Sequence, residues 1–342
     1  MSRRLLLDLR AQRPVWRVPA DVVAAVRHAV GPAWEVVEVE APAFSDGDGG
    51  PGSSEAVAAA RGAEVYLGFG VPAGVVTAGR GTLRWAHSCT AGVGAVLPSL
   101  RGSGILLTNS AGVHAEPIAD WVVAAIAHFA KGFDHIVRAQ ADRRWIQAAF
   151  GEREIRVLEL CESRVGIVGL GGIGGAVARR ALALGMRVAG IRRRPERGGP
   201  PGVAWVGSGP DLGRLAAESD VLVIAAPRTP DTDGAVGRDV LARLPEGAVV
   251  INVSRGALLD ERALLERLDA GALRGAALDV FATEPLPPEH PFWTHPRVLV
   301  SPHVSPVTDR FWEREAGLIL ENIRRYLAGV PLMNLVDSDA GY

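Results

Sequence analysis

"RVGIVGLGGIGGAVARRALALGMRVAGIRRR", Arg164 to Arg194, decides how the rest of the chain is read. A short apolar run, RVGIV, ends in Gly169-Leu170-Gly171-Gly172-Ile173-Gly174, which fits the spacing G-x-G-x-x-G. The amphipathic stretch AVARRALAL follows, and Gly185 ends it, so the whole reads as strand, glycine turn and helix. Gly169 permits a tight turn, Gly171 lets the backbone approach a pyrophosphate, and Gly174 lets helix and strand pack closely. Free amides and the helix dipole favour an anion at that point. Alone the hexamer is a weak signal. Between that strand and that helix it predicts a dinucleotide site.

The second strand asks which dinucleotide. About 20 residues past the first glycine, an NAD site usually carries an acid that holds the ribose hydroxyls. Here that place is filled by Arg192, Arg193 and Arg194, with no acid before Glu196. A guanidinium pairs with a 2′-phosphate through charge-assisted hydrogen bonds, where a carboxylate would repel it. The arginines therefore favour NADP(H), with NAD(H) possible. The plain alternative is a solvated charge run in an arginine-rich chain, and which arginine takes the phosphate is open.

Outward from this stretch, the 342 residues suffice for two domains with large cores. A hydrophobic content of 48% with 22% charge is ordinary for a soluble globular protein. A formal net charge of -1 gives no global field towards nucleic acid or anionic lipid, so neither is expected as a partner. Lys131 is the only lysine, which makes Schiff-base chemistry unpromising. Cys89 and Cys161 form no metal spacing or disulfide framework and suit a reducing compartment. The start, MSRRLLLDLR, does not read as a signal peptide. WVVAAIAHFA, Trp121 to Ala130, falls short of the roughly 20 apolar residues of a membrane span. A cytoplasmic protein without a metal is expected.

Before the glycine turn, RLLLDL, EVVEVE, EVYLGF, LRWAHS and GILLTN read as strands, with helices such as ADVVAAVRHAV between them. That alternation implies a parallel α/β sheet. FSDGDGGPGSSE, Phe44 to Glu55, reads as a solvated loop. A long helix is expected from Glu116, with Pro117 in its first turn. Its stripe of Ile118, Trp121, Val122, Ala125, Ile126 and Phe129 suits either a core or a subunit contact. After Arg164, a second series of candidate strands (RVGIV, RVAGI, VAWV, VLVIAA, AVVINV, AALDV, VLVS) is rich in valine, as doubly covered parallel strands are. A final helix, TDRFWEREAGLILENIRRYLAG, runs back towards the chain end. The expected architecture is α/β with two Rossmann-like or flavodoxin-like domains. A dinucleotide-binding domain, 113–303, is inserted into a substrate-binding domain formed by 1–112 and 304–342.

Three segments then gather chemistry at one sheet edge. NVSRG puts Arg255 just after a strand, LDVFATEP puts Glu284 beyond the next, after Asp279, and SPHVSP puts His303 after the last. Ligands bind at the carboxyl edge of such sheets. Singly each has a bland reading; an arginine, a carboxylate and a histidine beside a dinucleotide turn make a reaction site.

The chain resembles the D-isomer-specific 2-hydroxyacid dehydrogenase family, which includes glyoxylate/hydroxypyruvate reductases. The resemblance covers nearly the whole chain. It rests on TNSAGVHAEPIADW, the glycine turn, PRTPDTDGAVG, INVSRGALLDERALLERLDAGALRGAALDVFATEPLP and SPHVSP, in the family's order. It implies catalytic Arg255, Glu284 and His303. On that resemblance the substrate is a 2-keto acid, with a carboxylate and a ketone that becomes alkoxide-like as hydride arrives. Arg255 would grip the first and counter charge on the second, and His303 would give the proton, with Glu284 beside it favouring the imidazolium. Reduction should then fade as pH rises, while oxidation needs neutral His303. The resemblance implies cofactor contacts at the glycine turn, at Pro227, Thr232 and Val253, and at Asp279 near the nicotinamide carboxamide. Within TAGVG it implies that Ala91, Gly92 and Val93 present backbone amides to the substrate carboxylate, and it implies a homodimer built on the nucleotide domain. His87 could line the substrate cleft or be a satisfied core histidine, His114 reads as structural, and Trp145 resembles one that reaches a neighbouring subunit. Gly94, Pro306 and Arg228 depart from the family's usual acid, glycine and leucine. Pro306 could start the last helix, and Arg228 could add charge near the cofactor or face water. The expected activity is NADPH-preferring reduction of a small 2-keto acid to a D-2-hydroxy acid. The alternatives are an NAD-dependent dehydrogenase working oxidatively and a nucleotide-sensing protein like the family's corepressors.

Overall fold

The structure, a computed structural model, describes residues 3–43, 52–94 and 96–337. These form two compact units, one within Met1–His114 and Val307–Tyr342, the other Ala115–Pro306. In the terminal unit, β1 (Arg3–Asp8), β2 (Trp34–Glu38), β3 (Val65–Gly68), β4 (Trp85–Ser88) and β5 (Leu106–Asn109) make one sheet. Their order is β2-β1-β3-β4-β5. The second unit holds β6 (Arg164–Val168), β7 (Arg187–Ile191), β8 (Val206–Gly207), β9 (Val221–Ile224), β10 (Ala248–Asn252), β11 (Leu273–Leu278) and β12 (Val298–Val300). Their order is β12-β11-β10-β9-β6-β7-β8. Every pairing between these strands is parallel. The strand order reverses at β6, so the carboxyl ends of β6 and β9 flank the crevice where such sheets bind ligands.

The valine- and isoleucine-rich strands of the second unit are buried on both faces, as helices on either side require. Helix Ala115–Ala130 begins with Pro117 in its first turn and packs along helix Gly172–Ala183. Ile118, Val122, Ala125, Ile126 and Phe129 are buried there against Val177, Ala181 and the strand residues Ile167 and Val223. The stripe left open between core and subunit contact is therefore core, with Trp121 only partly buried at its edge. Burial of side chains of this size contributes about 1.5–3 kcal/mol each. The exposed pairs Arg180–Asp120 and Arg180–Glu116, both at 2.7 Å, add little beside that.

In the terminal unit, helix Phe311–Ala328 buries Phe311, Ile319 and Ile323 against Trp16, Val26 and Trp85. Two polar residues share its buried face, Glu315 and Asn322. Asn322 clasps the backbone of Met333, accepting from its N–H at 2.7 Å and donating to its carbonyl at 3.2 Å.

Three local expectations change. VAWV is largely irregular; the strand there is Val206–Gly207, an edge strand that pairs only with Gly190 and Ile191. Pro306 does not start the last helix, which begins at Phe311 after a turn. Of the expected loop Phe44–Glu55, 44–51 lies outside the described residues. Its end is helical: Ser53 caps helix Ser54–Ala59 by accepting from the Ala56 N–H at 3.0 Å. Among the described residues no helix is long and apolar enough to cross a membrane.

Candidate active site

The turn after β6 is built around close approaches. Gly169 has φ 101°, and a Cβ on it would lie 2.5 Å from the Ala226 backbone. A Cβ on Gly174 would lie 2.1 Å from the Gly169 carbonyl oxygen. At Gly171 a Cβ would meet nothing within 4 Å, so there is open space beside the first turn of helix Gly172–Ala183. Gly172 and Ile173 open that helix. Dense packing at the first and third glycines with space at the second is what a pyrophosphate at the helix N-terminus requires.

Arg192 follows β7 directly, and its Nη1 donates to the Gly198 carbonyl at 2.8 Å. Arg193 and Arg194 are exposed. At the end of β9, the Thr232 hydroxyl donates to the Pro227 carbonyl at 2.8 Å and accepts from the Thr229 N–H at 2.7 Å. Arg228 forks onto Asp233, Nε–Oδ1 2.8 Å and Nη2–Oδ2 3.1 Å, and so is spent on its own turn.

Arg255 leaves the carboxyl end of β10 with its backbone held by Asn252. The Asn252 side chain donates to the Arg255 carbonyl at 3.1 Å and accepts from the Ser254 N–H at 3.1 Å. Val253 is buried, and Ser254 Oγ donates to the Ala226 carbonyl. Arg255 Nη1 donates to the Ser254 carbonyl at 2.8 Å. Asn252 was not singled out as a site residue, although a polar side chain ending an all-apolar strand is a usable signal.

Glu284 and His303 come together. His303 Nδ1 lies 2.8 Å from Glu284 Oε2, and Glu284 Oε1 accepts from the Phe281 N–H at 2.9 Å. Burial would raise the Glu284 pKa, but the hydrogen bonds from His303 and Phe281, with the charges of His303 and Arg255, more than offset it. The carboxyl is held below its usual range. An ionised Glu284 accepts the Nδ1 proton, which leaves Nε2 as the working nitrogen. Arg255 is near enough for its charge to favour that ionised state.

Asp279 holds this arrangement in place. It is wholly buried; Oδ1 accepts from Ser301 Oγ at 2.5 Å and the Val304 N–H at 2.9 Å, and Oδ2 accepts from the Ser305 N–H at 3.0 Å. Its carbonyl accepts from the His303 N–H at 2.9 Å. The Asp279 carboxylate is thus committed to the loop that carries His303.

In the terminal unit the carbonyls of Ala91 and Gly92 are held by Asn109 Nδ2 and Thr90 Oγ1, both at 2.8 Å, and Val93 is buried. His87 does not line an open cleft: it is fully buried in β4. Trp85 Nε1 donates to Thr108 Oγ1 at 2.9 Å, and His87 Nδ1 lies 2.7 Å from the same hydroxyl oxygen. His87 Nε2 donates to Glu315 Oε1 at 2.8 Å. The fold also brings Cys89 here, giving three buried groups whose ligand atoms lie within 4.8 Å of one another. Burial pushes the Cys89 thiol well up, and both His87 nitrogens are engaged, so the cluster reads as a hydrogen-bonded network and not as a metal centre. His114 is structural as expected, stacked on Phe311 at 5.3 Å. Trp145 is 90% exposed.

Residues 123–305 match the sequence model described as D-isomer specific 2-hydroxyacid dehydrogenase, NAD binding domain. A glyoxylate/hydroxypyruvate reductase A of Photorhabdus laumondii is 34% identical over 273 residues, 78% of this chain and 83% of the relative. A D-isomer specific 2-hydroxyacid dehydrogenase of Xanthobacter autotrophicus Py2, solved with NADPH and MES, superposes with a TM-score of 0.77 at 30% identity over 100% of both chains. An NADPH-dependent glyoxylate/hydroxypyruvate reductase of Sinorhizobium meliloti, solved with NADP and sulfate, gives a TM-score of 0.77 at 27% identity, covering 99% of this chain and 100% of that one.

Proposed function

Since this chain belongs to the D-isomer specific 2-hydroxyacid dehydrogenase family, we propose that it is an NADPH-preferring reductase of small 2-keto acids such as glyoxylate and hydroxypyruvate, forming D-2-hydroxy acids. As a family member it is an NAD(P)-dependent 2-ketoacid reductase; the cofactor preference and the substrate are the proposal. The observation that carries it is the His303–Glu284 pair at 2.8 Å, within range of the Arg255 charge, in the unit that also holds the open turn at Gly171.

The residues at the turn fit a dinucleotide, with Gly171 leaving space where the pyrophosphate would rest and Gly169, Gly172, Ile173 and Gly174 shaping the helix start. When bound, the reduced nicotinamide supplies the hydride. Arg255 grips the substrate carboxylate and counters negative charge on the keto oxygen. His303 gives that oxygen its proton from Nε2, and Glu284 holds the ring through Nδ1. Ala91, Gly92 and Val93 are proposed to offer backbone amides to the carboxylate. Pro227, Thr232 and Val253 are proposed to line the cofactor.

The preference for NADPH is supported by Arg192, Arg193 and Arg194, which stand where an acid would repel a 2′-phosphate. Arg192 donates to the Gly198 carbonyl at 2.8 Å, and any of the three could pair with a phosphate. The two relatives solved with NADPH and NADP support the same reading. Cys89 and Cys161 are free thiols, which suits a cytoplasmic enzyme. A homodimer is also proposed.

Initial rates with glyoxylate and hydroxypyruvate, using NADPH and NADH in parallel and His303→Ala as control, test the reading. Faster NADPH oxidation, lost in the variant, is expected. A preference for NADH would return the arginines to the solvated surface and leave the hydride chemistry intact. Cofactor binding without turnover across a broad 2-keto acid panel would favour a nucleotide sensor.

A further inference from the structure

We infer that Glu261 is a positioning residue for the Glu284–His303 pair, acting through the backbone of the loop that carries Glu284. The inference rests on the reductase reading above and adds a residue to it. Asp260 caps helix Glu261–Asp269 by accepting from the Ala263 N–H at 2.9 Å, which puts Glu261 in the first turn. Glu261 Oε1 accepts from the Ala282 N–H at 2.7 Å. The preceding amide, Phe281 N–H, donates to Glu284 Oε1 at 2.9 Å. Two successive amides of one loop are thus each taken by a carboxylate. One carboxylate is the partner of His303, and the other belongs to a separate helix.

The loop is also held by Gly256, next to Arg255. A Cβ on Gly256 would fall 1.9 Å from the Phe281 carbonyl carbon and 2.1 Å from the Ala282 nitrogen, so no side chain fits between the two segments. The segment from Arg255 to Glu261 therefore grips 281–284 twice, by backbone contact at Gly256 and by hydrogen bond at Glu261. Arg255 and Glu284 are fixed relative to each other by this grip.

His290 Nδ1 accepts from the Phe292 N–H at 3.3 Å, and its Nε2 lies 3.9 Å from Glu261 Oε2, too far for a hydrogen bond, so the Ala282 amide is the contact through which Glu261 acts. Displacements of an ångström at a reacting group are costly.

The experiment separates geometry from charge. Glu261→Gln keeps an acceptor in the same place and loses the charge; Glu261→Asp keeps the charge and withdraws the acceptor by one methylene. In NADPH-dependent reduction of hydroxypyruvate, Glu261→Asp is expected to lower kcat about 10-fold with KM for NADPH unchanged, and Glu261→Gln to stay within about 3-fold of wild type. In a Glu284→Gln background, Glu261→Asp should cost nothing more, because it acts through Glu284. Wild-type kcat in Glu261→Asp, a Gln variant as slow as Asp, or additive losses in the double variant would each overturn the inference while wild-type turnover keeps the reductase reading. A wild-type protein that reduces no 2-keto acid would remove that reading and this inference with it.

Discussion

His303 holds a left-handed backbone, φ 54°, which residues with side chains seldom adopt. Such a conformation persists when its surroundings over-determine it. Asp279 does so here, with its carbonyl on the His303 N–H and its carboxylate on Ser301, Val304 and Ser305. Arg255, Glu284 and His303 were legible as three strand-end residues beside a glycine turn. The task of Asp279 was not, because the hydroxyl and amides it binds lie 22 to 26 residues away and meet it only in the fold. Glu284 gives a prediction at this scale. Its folded pKa lies below the ordinary carboxylate value of 4.5, so its charged form, and any stability it adds, is present above that value and lost as pH falls through the lower folded one. The wild-type enzyme should therefore keep its Glu284-dependent activity from about pH 7 to about pH 5. Glu284→Gln should reduce kcat about 100-fold over that window, as removal of an acid–base partner does. A pH–rate series on both proteins checks it; equal kcat would remove Glu284 from the proton-transfer unit.

Helix Phe311–Ala328 shows what hydrophobic pattern does and does not reveal. Phe311, Ile319 and Ile323 recur at helical spacing, and the core takes them. Glu315, on the same face, is fully buried, and its partner His87 is 228 residues earlier, so no local pattern announces the pair. The same limit explains the short β8: Val203 and Trp205 look like strand residues, but they pack at the rim of a core, and only Val206 and Gly207 reach the ladder. Burial alone would push the Glu315 carboxyl up; the hydrogen bond and charge of His87 hold it below the ordinary range. A lowered folded pKa means stability present above 4.5 and lost as pH falls through the folded value. His87→Ala should cost about 3–5 kcal/mol, because it leaves a buried carboxylate without its donor. The double variant His87→Phe, Glu315→Leu should recover most of that loss, since an apolar pair removes the charge as well. Urea unfolding at neutral pH measures both. A His87→Ala variant as stable as wild type would show that the pair does not tie the helix to β4.

At the scale of the whole molecule, two parallel sheets were legible because β-branched runs alternate with amphipathic helices along the chain. A surface that awaits a partner leaves no such alternation, and it emerges only once the core is known. On helix Phe133–Ala141, Phe133, Ile136 and Val137 are 47%, 39% and 59% exposed, at positions i, i+3 and i+4, and Trp145 follows just beyond the helix. Scattered apolar residues on a surface need no explanation, but an aromatic and two aliphatic residues on one helical face do. The homodimer proposed above would place a second copy of this chain on this face: in a two-fold contact the same face meets itself, so an apolar stripe would be covered by an apolar stripe. Val137→Glu would then place two like charges in a desolvated contact. Light scattering should give twice the 36.0 kDa chain mass for the wild type and the single-chain mass for the variant, with the same far-ultraviolet circular dichroism. Val137 packs into no core, so loss of the dimer without loss of fold is the outcome this face requires. A monomeric wild type, or a variant that stays dimeric, would assign the stripe no such role.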